Sequence, residues 1–323
     1  MPHLLVAGIL HPSGVARLNA LTAKGVSVDY VEEITEASYA PLIHKADGLV
    51  VRTQPVSAGT IARAERLKVV SRHGVGYDAV DLAALNARGI ALTVVGDVNS
   101  VSVAEHAMMQ ILAGAKQVLR ADRAVRDPGR WGWRNRMEAR EISGKNLLII
   151  GYGRAGRRLA RMAAGFEMQV RAYDPYLEDL GWPEGDVAPA KDLHEALGWA
   201  DCLSLHVPKG DTPVLGEAEF AAMAPGMIIA NTCRGGVVCE TSLAAALASG
   251  RVHAAGIDVF AEEPPEPGMP LMELDNALLS PHIAGLTEES SERMAIASIQ
   301  NALGFLDGSI DPALIVNKDA IDV

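Results

Sequence analysis

Three polar residues, far apart in this chain, are of types that together move a proton and hold an anion. Arg234 stands between an apolar run and Gly235-Gly236, where its guanidinium has room to reach into a cleft and meet a carboxylate bidentately. Glu263 follows Asp258-Val259-Phe260-Ala261-Glu262 and precedes Pro264-Pro265, a stiff stretch that fixes its direction. His282 follows Pro281 at the end of another apolar run. A histidine held by a carboxylate exchanges protons near neutral pH, with its charged form favoured by the partner. Singly, each reads more simply as a surface arginine, a solvated loop acid and a core histidine. A reaction needs a fold that brings them together behind a bound reactant.

Leu147-Leu148-Ile149-Ile150 reads as a buried parallel strand, and Gly151, Gly153 and Gly156 follow it in G-x-G-x-x-G spacing, with a helical run behind. In that setting Gly151 permits a tight turn, Gly153 lets a pyrophosphate approach the backbone, and Gly156 lets helix pack on strand. The helix start offers N–H groups and a positive dipole end to phosphates. Such glycine turns are common, and the next strand decides. Met168-Gln169-Val170-Arg171-Ala172-Tyr173 ends in Asp174, about twenty residues past the glycines, where a ribose-binding acid belongs. An acid there accepts hydrogen bonds from ribose hydroxyls and repels a 2′-phosphate. Pro175-Tyr176-Leu177-Glu178-Asp179 brings no Arg or Lys to neutralise one. The expected cofactor is NAD rather than NADP; the competing role for Asp174 is to cap a turn.

These residues need strands to carry them. Residues 1–98 alternate strands at 4–9, 26–30, 48–51 and 67–71 with helices at 12–24, 37–45 and 61–66, the pattern of a small doubly wound domain. Ligands gather at the carboxyl ends of such strands, which places Arg52, Thr53, Arg72, His73, Gly74, Val75 and Gly76 on a loop-borne rim. Asn99-Ser100 begins one long apolar helix, expected from 101 to 126 and stopped by Asp127-Pro128-Gly129. His106 on it reads as a packed residue. The basic, aromatic stretch Arg130-Trp131-Gly132-Trp133-Arg134-Asn135-Arg136 reads as an arm on a partner subunit or as a substrate contact. A strand and loop over 201–208, strands at 227–232, 254–260 and 277–280, and helices at 242–249 and 288–306 complete a second α/β set. The fold class is α/β, with two doubly wound parallel-sheet domains: residues 1–98, then a cofactor domain over 99–285, with 286–323 returning to the first.

A chain of 323 residues is long for one core, which agrees with two domains. A net charge of −11 argues against nucleic acid or an anionic membrane as partner, while leaving a local arginine cluster able to bind an anionic substrate. Cys202, Cys233 and Cys239 are too few and too oddly numbered for a disulfide framework, and suggest a reducing compartment. The N-terminal residues read as a strand rather than a signal peptide, and no apolar run has the length of a membrane span. The expectation is a soluble, cytoplasmic protein without a metal.

Six blocks of text, in order, resemble the D-isomer-specific 2-hydroxyacid dehydrogenase family over nearly the full length. They are Arg72-His73-Gly74-Val75-Gly76-Tyr77-Asp78; Gly151–Gly156 with Asp174; Leu205-His206-Val207-Pro208; Asn231-Thr232-Cys233-Arg234-Gly235-Gly236; Gly256 through Pro265; and Ser280-Pro281-His282-Ile283-Ala284-Gly285. The resemblance implies that a Rossmann-type NAD domain is inserted into a flavodoxin-like substrate domain and that a homodimer forms through the NAD domains. It implies that Arg234 orients a substrate carboxylate, that His282 is the acid/base, and that Glu263 pairs with His282. Cofactor contacts carried over are Gly151, Gly153, Arg154, Ala155, Gly156 and Asp174 around the glycine turn. His206, Val207, Pro208, Thr212, Thr232, Cys233 and Arg234 follow on later loops, with Asp258, His282, Ala284 and Gly285 near the nicotinamide. Substrate contacts carried over are Arg52, Arg72, His73, Gly74, Val75 and Gly76, with Arg234 and His282.

The implied reaction is hydride transfer between NADH and a 2-oxo acid, giving a D-2-hydroxy acid. The text around Arg52 and Arg72 is most like phosphoglycerate dehydrogenases, and Arg52 with Arg134 or Arg136 would hold a second anion. The chain as read ends without an appended regulatory domain, and Gly132-Trp133 alters the basic segment, so a hydroxypyruvate, glyoxylate or other 2-oxo acid reductase is the rival. An NADH-sensing binding protein is the alternative of a different class. A formate dehydrogenase is disfavoured, because Glu263 stands where that branch has Gln.

Overall fold

A computed structural model describes residues 1–185 and 187–321; residue 186 and residues 322 and 323, the end of the expected return segment, lie outside the described set. In chain order the regular elements begin with β1 (His3–Ala7), α1 (Pro12–Ala23), β2 (Ser27–Val31), α2 (Glu36–Tyr39) and β3 (Gly48–Val51). Next come α3 (Ala58–Ala62), β4 (Val69–Arg72), α4 (Leu82–Ala87) and β5 (Ala91–Thr93). Two helices, α5 (Ser100–Lys116) and α6 (Val118–Arg126), lead to β6 (Asn146–Ile150), α7 (Arg154–Gly165), β7 (Gln169–Tyr173) and α8 (Pro175–Leu180). The series continues with β8 (Ala188–Pro189), α9 (Leu193–Trp199), β9 (Cys202–Leu205), α10 (Glu217–Ala222) and β10 (Met227–Asn231). It closes with α11 (Glu240–Ala248), β11 (Val252–Ile257), β12 (Ala277–Leu279) and α12 (Glu288–Asp307).

The chain divides into two compact units, Met1–Asn99 with Leu286–Val323, and Ser100–Gly285. The first holds a five-stranded sheet in the order β2-β1-β3-β4-β5, all parallel. Parallel strands are buried on both faces, which is why they read as unbroken aliphatic runs rather than alternating ones. Leu5, Leu49, Val51, Val70 and Leu92 fill one face. Leu4, Val6, Val50 and Val69 fill the other, closed by Ala295, Ile299 and Ala302 of α12. Ser71 points to that same face, and its hydroxyl donates to the Ser298 carbonyl at 2.7 Å.

The second unit holds seven strands in the order β12-β11-β10-β9-β6-β7-β8, again all parallel. Its order reverses between β6 and β9, the switch point at which doubly wound sheets take up dinucleotides. The expected fold class is therefore observed. Among the described residues no helix is long and apolar enough to cross a membrane.

Two expectations are corrected. The single helix over 101–126 is two, because Gln117 takes a left-handed conformation (φ 52°, ψ 46°) between α5 and α6. Its N–H bonds back to the Gly114 carbonyl, its side-chain amide donates to that same carbonyl, and the Ala115 carbonyl is taken by the N–H of Arg140. The backbone bonds that would continue the helix are thus diverted. The helix expected at 61–66 lies earlier, in α3, because Ser57 caps it by accepting from the Thr60 N–H at 3.3 Å.

Three histidines lose water on folding. Burial pushes His73, His206 and His253 down to about 4, with Arg52 and Arg72 adding to the effect at His73 and Arg140 and Arg120 at His253. A depressed imidazole favours the neutral form in the fold, so the stabilisation is complete above the ordinary value near 6.5 and drains away as pH falls toward 4. Each contributes a slope of about 1 kcal/mol per pH unit at most in that window. Urea unfolding at pH 7.5 and pH 4.5 should show a midpoint that falls steeply between them; a flat profile would mean these imidazoles are hydrated in the fold.

Candidate active site

The turn after β6 has the geometry that the glycine spacing predicts. Gly151 has φ +93°, and a Cβ on it would lie 2.6 Å from the His206 carbonyl oxygen, so the loop after β9 packs directly on this turn. A Cβ on Gly156 would collide with the Gly151 carbonyl, so this glycine lets α7 start tight against the turn. Gly153, by contrast, has nothing within 4 Å of where its Cβ would stand. No protein contact requires glycine there, and the open space suits a pyrophosphate at the start of α7. Arg154 and Ala155 form the first turn of that helix.

Asp174, at the end of β7, does two jobs. One oxygen accepts from the N–H of Tyr152 in the glycine turn at 2.8 Å, and the other caps α8 through the N–H groups of Tyr176 and Leu177. The carboxylate is therefore fixed at the turn, with lone pairs left over for further donors.

His206 follows β9, with its Nε2 2.9 Å from the Ser204 hydroxyl. Val207 is half-buried, and Pro208 and Thr212 are exposed along the same loop. The Thr232 hydroxyl is buried and has no partner among the described residues, and a polar ligand atom would suit it. Cys233 is buried too, its Sγ donating to the Asn231 side-chain oxygen at 3.1 Å, and burial raises its thiol.

Arg234 sits on the loop after β10, pinned from both sides by Asn231. That side chain accepts from the Cys233 N–H at 3.2 Å and donates to the Arg234 carbonyl at 3.2 Å. The guanidinium donates through Nη1 to the Cys233 carbonyl at 2.6 Å.

Glu263 hangs from the loop after β11. Its Oε1 accepts from the Phe260 N–H at 3.0 Å, while Oε2 lies 2.7 Å from Nδ1 of His282. Partial burial raises the Glu263 carboxyl, but the hydrogen bonds from His282 and the Phe260 N–H, with the charges of His282 and Arg234, outweigh it and hold the group below its ordinary value. An ionised Glu263 accepts the Nδ1 proton of His282. Nε2 is thereby left as the atom that gives or takes a proton.

His282 has φ +54°, a left-handed conformation uncommon for a side-chain-bearing residue. Asp258, wholly buried at the end of β11, holds it there. The Asp258 carbonyl accepts from the His282 N–H at 2.8 Å, and its carboxylate accepts from the N–H groups of Ile283 at 2.9 Å and Ala284 at 2.8 Å. Gly285 closes this loop. The second unit thus assembles Arg234, Glu263 and His282 at the carboxyl ends of adjacent strands β10, β11 and β12.

On the first unit, Arg52 follows β3 and donates through Nη1 to the Ile9 carbonyl at 3.2 Å, and Arg72 ends β4. His73 is buried, with neither ring nitrogen paired among the described residues, ahead of Gly74, Val75 and Gly76. In the basic segment, a 3-10 stretch over Pro128–Arg136 with no buried residue, Arg134 lies over the Trp131 ring and Arg136 is 3.6 Å from Glu138.

The model of a family described as "D-isomer specific 2-hydroxyacid dehydrogenase, NAD binding domain" matches residues 108–284. The chain belongs to the D-isomer-specific 2-hydroxyacid dehydrogenase family. Among its relatives, the D-3-phosphoglycerate dehydrogenase of Archaeoglobus fulgidus is 32% identical over 93% of this chain and 57% of its own length. This chain thus spans little more than half of that relative. The glyoxylate reductase of Korarchaeum cryptofilum is 36% identical over 87% of this chain and 86% of its own. In structure, a D-lactate dehydrogenase from Aquifex aeolicus, solved with NAD and lactic acid, superposes with a TM-score of 0.83 at 26% identity, covering 97% of this chain and 98% of that one. Within a 2-hydroxyacid dehydrogenase fold, residues 108–284 form the NAD-binding domain.

Two residues of this site escaped the sequence reading. Ser280 was legible only as part of a block, and its hydroxyl donates to Asp258 at 2.5 Å. His106, expected to be simply packed, has Nε2 3.1 Å from that hydroxyl. The available signal was a lone histidine on an apolar helix, which points to a polar contact without naming it.

Proposed function

We propose that this 2-hydroxyacid dehydrogenase interconverts a D-2-hydroxy acid and its 2-oxo acid at the expense of NADH or NAD. The observation that carries the reading is the 2.7 Å pairing of Glu263 with His282 Nδ1, beside Arg234 on the neighbouring strand end. When bound, NADH supplies the hydride. The glycine turn and the start of α7 would hold the pyrophosphate, Asp174 the adenosine ribose, and the Thr232 hydroxyl a polar atom of the cofactor. His206, Val207, Pro208, Thr212, Cys233, Ala284 and Gly285 are proposed as further contacts to the cofactor.

Arg234 clamps the substrate carboxylate and turns the carbonyl carbon toward the cofactor. Protonated His282 gives its Nε2 proton to the carbonyl oxygen as that oxygen gains negative charge, and Arg234 stabilises the same charge. Glu263 keeps the imidazole in the tautomer this needs and offsets its positive charge. In oxidation, neutral His282 takes the hydroxyl proton through the same atom.

On the first unit, Arg52, Arg72, His73, Gly74, Val75 and Gly76 are proposed to serve the substrate. The protein is proposed to be cytoplasmic and to work as a homodimer. Replacing Asp174 with Ala should lower the preference for NADH over NADPH about tenfold or more, a loss of roughly 1.4 kcal/mol in discrimination. Asp174→Asn keeps the cap of α8 while removing the charge, so an unchanged cofactor ratio in both variants would take Asp174 out of the ribose role.

The deciding experiment is NADH oxidation by the purified protein with phosphohydroxypyruvate, hydroxypyruvate and glyoxylate at equal concentration. A preference of about a hundredfold for the phosphorylated acid, near 3 kcal/mol in the transition state, would mark a second anion site with Arg52 as first candidate. Preference for an unphosphorylated acid would make the chain a 2-oxo acid reductase of the hydroxypyruvate or glyoxylate kind. Tight NADH binding with no turnover of any acid would sink the dehydrogenase reading and leave a sensor.

A further inference from the structure

We propose that His106 is a positioning residue for His282, acting through Ser280 and Asp258; the inference rests on the reading of His282 as the acid/base. The direction of each hydrogen bond follows from what the atoms carry. Asp258 is a fully buried carboxylate and accepts only, so the 2.5 Å contact is donated by the Ser280 hydroxyl. That hydroxyl has one proton and has spent it. Nε2 of His106, 3.1 Å away, must therefore be the donor to the Ser280 oxygen, and it lies 3.8 Å from the Asp258 carboxylate.

The chain runs His106 to Ser280 to Asp258, and at Asp258 it meets the backbone around His282. The carboxylate oxygen that receives the Ser280 proton also accepts from the Ile283 N–H, and its partner oxygen accepts from the Ala284 N–H. The carbonyl of the same residue accepts from the His282 N–H. Three successive N–H groups thus close on one residue, and the first of them belongs to His282, the one in a left-handed conformation. A carboxylate free to rotate would release two of the three. Ser280 fixes its rotation from just past β12, and His106 fixes Ser280 from α5. The imidazole of His282 then keeps its aim at Glu263, with Arg234 completing the charged surroundings.

The test compares His106→Leu, Ser280→Ala and His106→Gln, whose amide donor reaches where Nε2 stands. The readouts are kcat and KM for the best 2-oxo acid, NADH affinity by fluorescence, thermal melting, and the His282 Nδ1–H proton resonance followed by NMR in the cofactor-free protein. His106→Leu and Ser280→Ala should lower kcat about tenfold while KM and NADH affinity stay within about twofold. They should also move the His282 Nδ1–H proton resonance upfield, because a loosened imidazole loses part of its 2.7 Å hydrogen bond to Glu263. His106→Gln should restore both. Unchanged kcat and Nδ1–H resonance in Ser280→Ala, or a His106→Gln protein as defective as His106→Leu, overturns the proposal. Should the wild type turn over no acid, the catalytic reading fails, and the Nδ1–H resonance alone still decides whether His106 positions His282.

Discussion

His282→Ala should abolish measurable reduction of the preferred 2-oxo acid, lowering kcat by about 10²–10⁴, the usual worth of a positioned acid/base. NADH affinity should change by less than about twofold, because the glycine turn and Asp174 belong to other strand ends. Glu263→Gln should be milder, since an amide oxygen still accepts from Nδ1 but offers no charge to a protonated ring. The ordering matters as much as the size. If His282→Ala lost cofactor affinity and turnover in parallel, its role would be to shape the loop; if Glu263→Gln were the worse of the two, the proton would travel by another route. Stopped-flow single turnovers, which separate binding from chemistry, make that distinction.

Gly235→Ala should be nearly as damaging for a different reason. A Cβ at this position would overlap the Phe260 carbonyl group and press on the Ala261 N–H. Backbone on backbone has no flexible end that gives way, so the loops after β10 and β11 must separate. Arg234 sits on one of these loops and Glu263 on the other. The loop that carries Glu263 is further tied down by the Ala261 N–H, which donates to Glu240 at the start of α11 at 2.7 Å. The expected cost is about 3 kcal/mol in unfolding free energy, with kcat/KM down about a hundredfold or more. Gly236→Ala is the control: its φ of +78° predicts strain of about 1 kcal/mol, without that collision. Urea unfolding and kinetics on both variants check the pair, and a Gly235→Ala protein close to wild type would mean the two loops are free to move apart.

Much of this was legible in the sequence because short-range rules carry it. A strand buried on both faces, a glycine turn and a helix have one sensible arrangement, and the acid ending the next strand meets the turn through its N–H. The same locality explains the errors. Nothing in an apolar helical run says that Gln117 will leave the helix, since the cause is a carbonyl claimed by Arg140, far along the chain. Asp174 was weighed as either a cap or a ribose ligand, and the structure shows the capping bonds directly, on a carboxylate with acceptor sites to spare. The pairing of Glu263 with His282 came from resemblance, because spacing alone does not place two loops side by side. The link from His106 to Ser280 spans two elements distant in sequence, and no local pattern predicts it.

The last helix of the chain closes the face of the first sheet, and that order of events has a cost during synthesis. Leu4, Val6, Val50 and Val69 leave the ribosome early, but Ala295, Ile299 and Ala302, which cover them, come after the whole second unit. Elongation at about 5–20 residues per second makes the wait for those roughly 190 residues some ten to forty seconds. During it, the part of that face beyond the reach of Leu18 and Leu21 of α1 is an uncovered aliphatic surface. The intervening unit, a contiguous stretch from Ser100 to Gly285, has no such debt and can finish while the first still waits. Nascent chains stalled just before residue 286 should therefore recruit holdase chaperones at their amino-terminal strands, and chains stalled after α12 has emerged should release them.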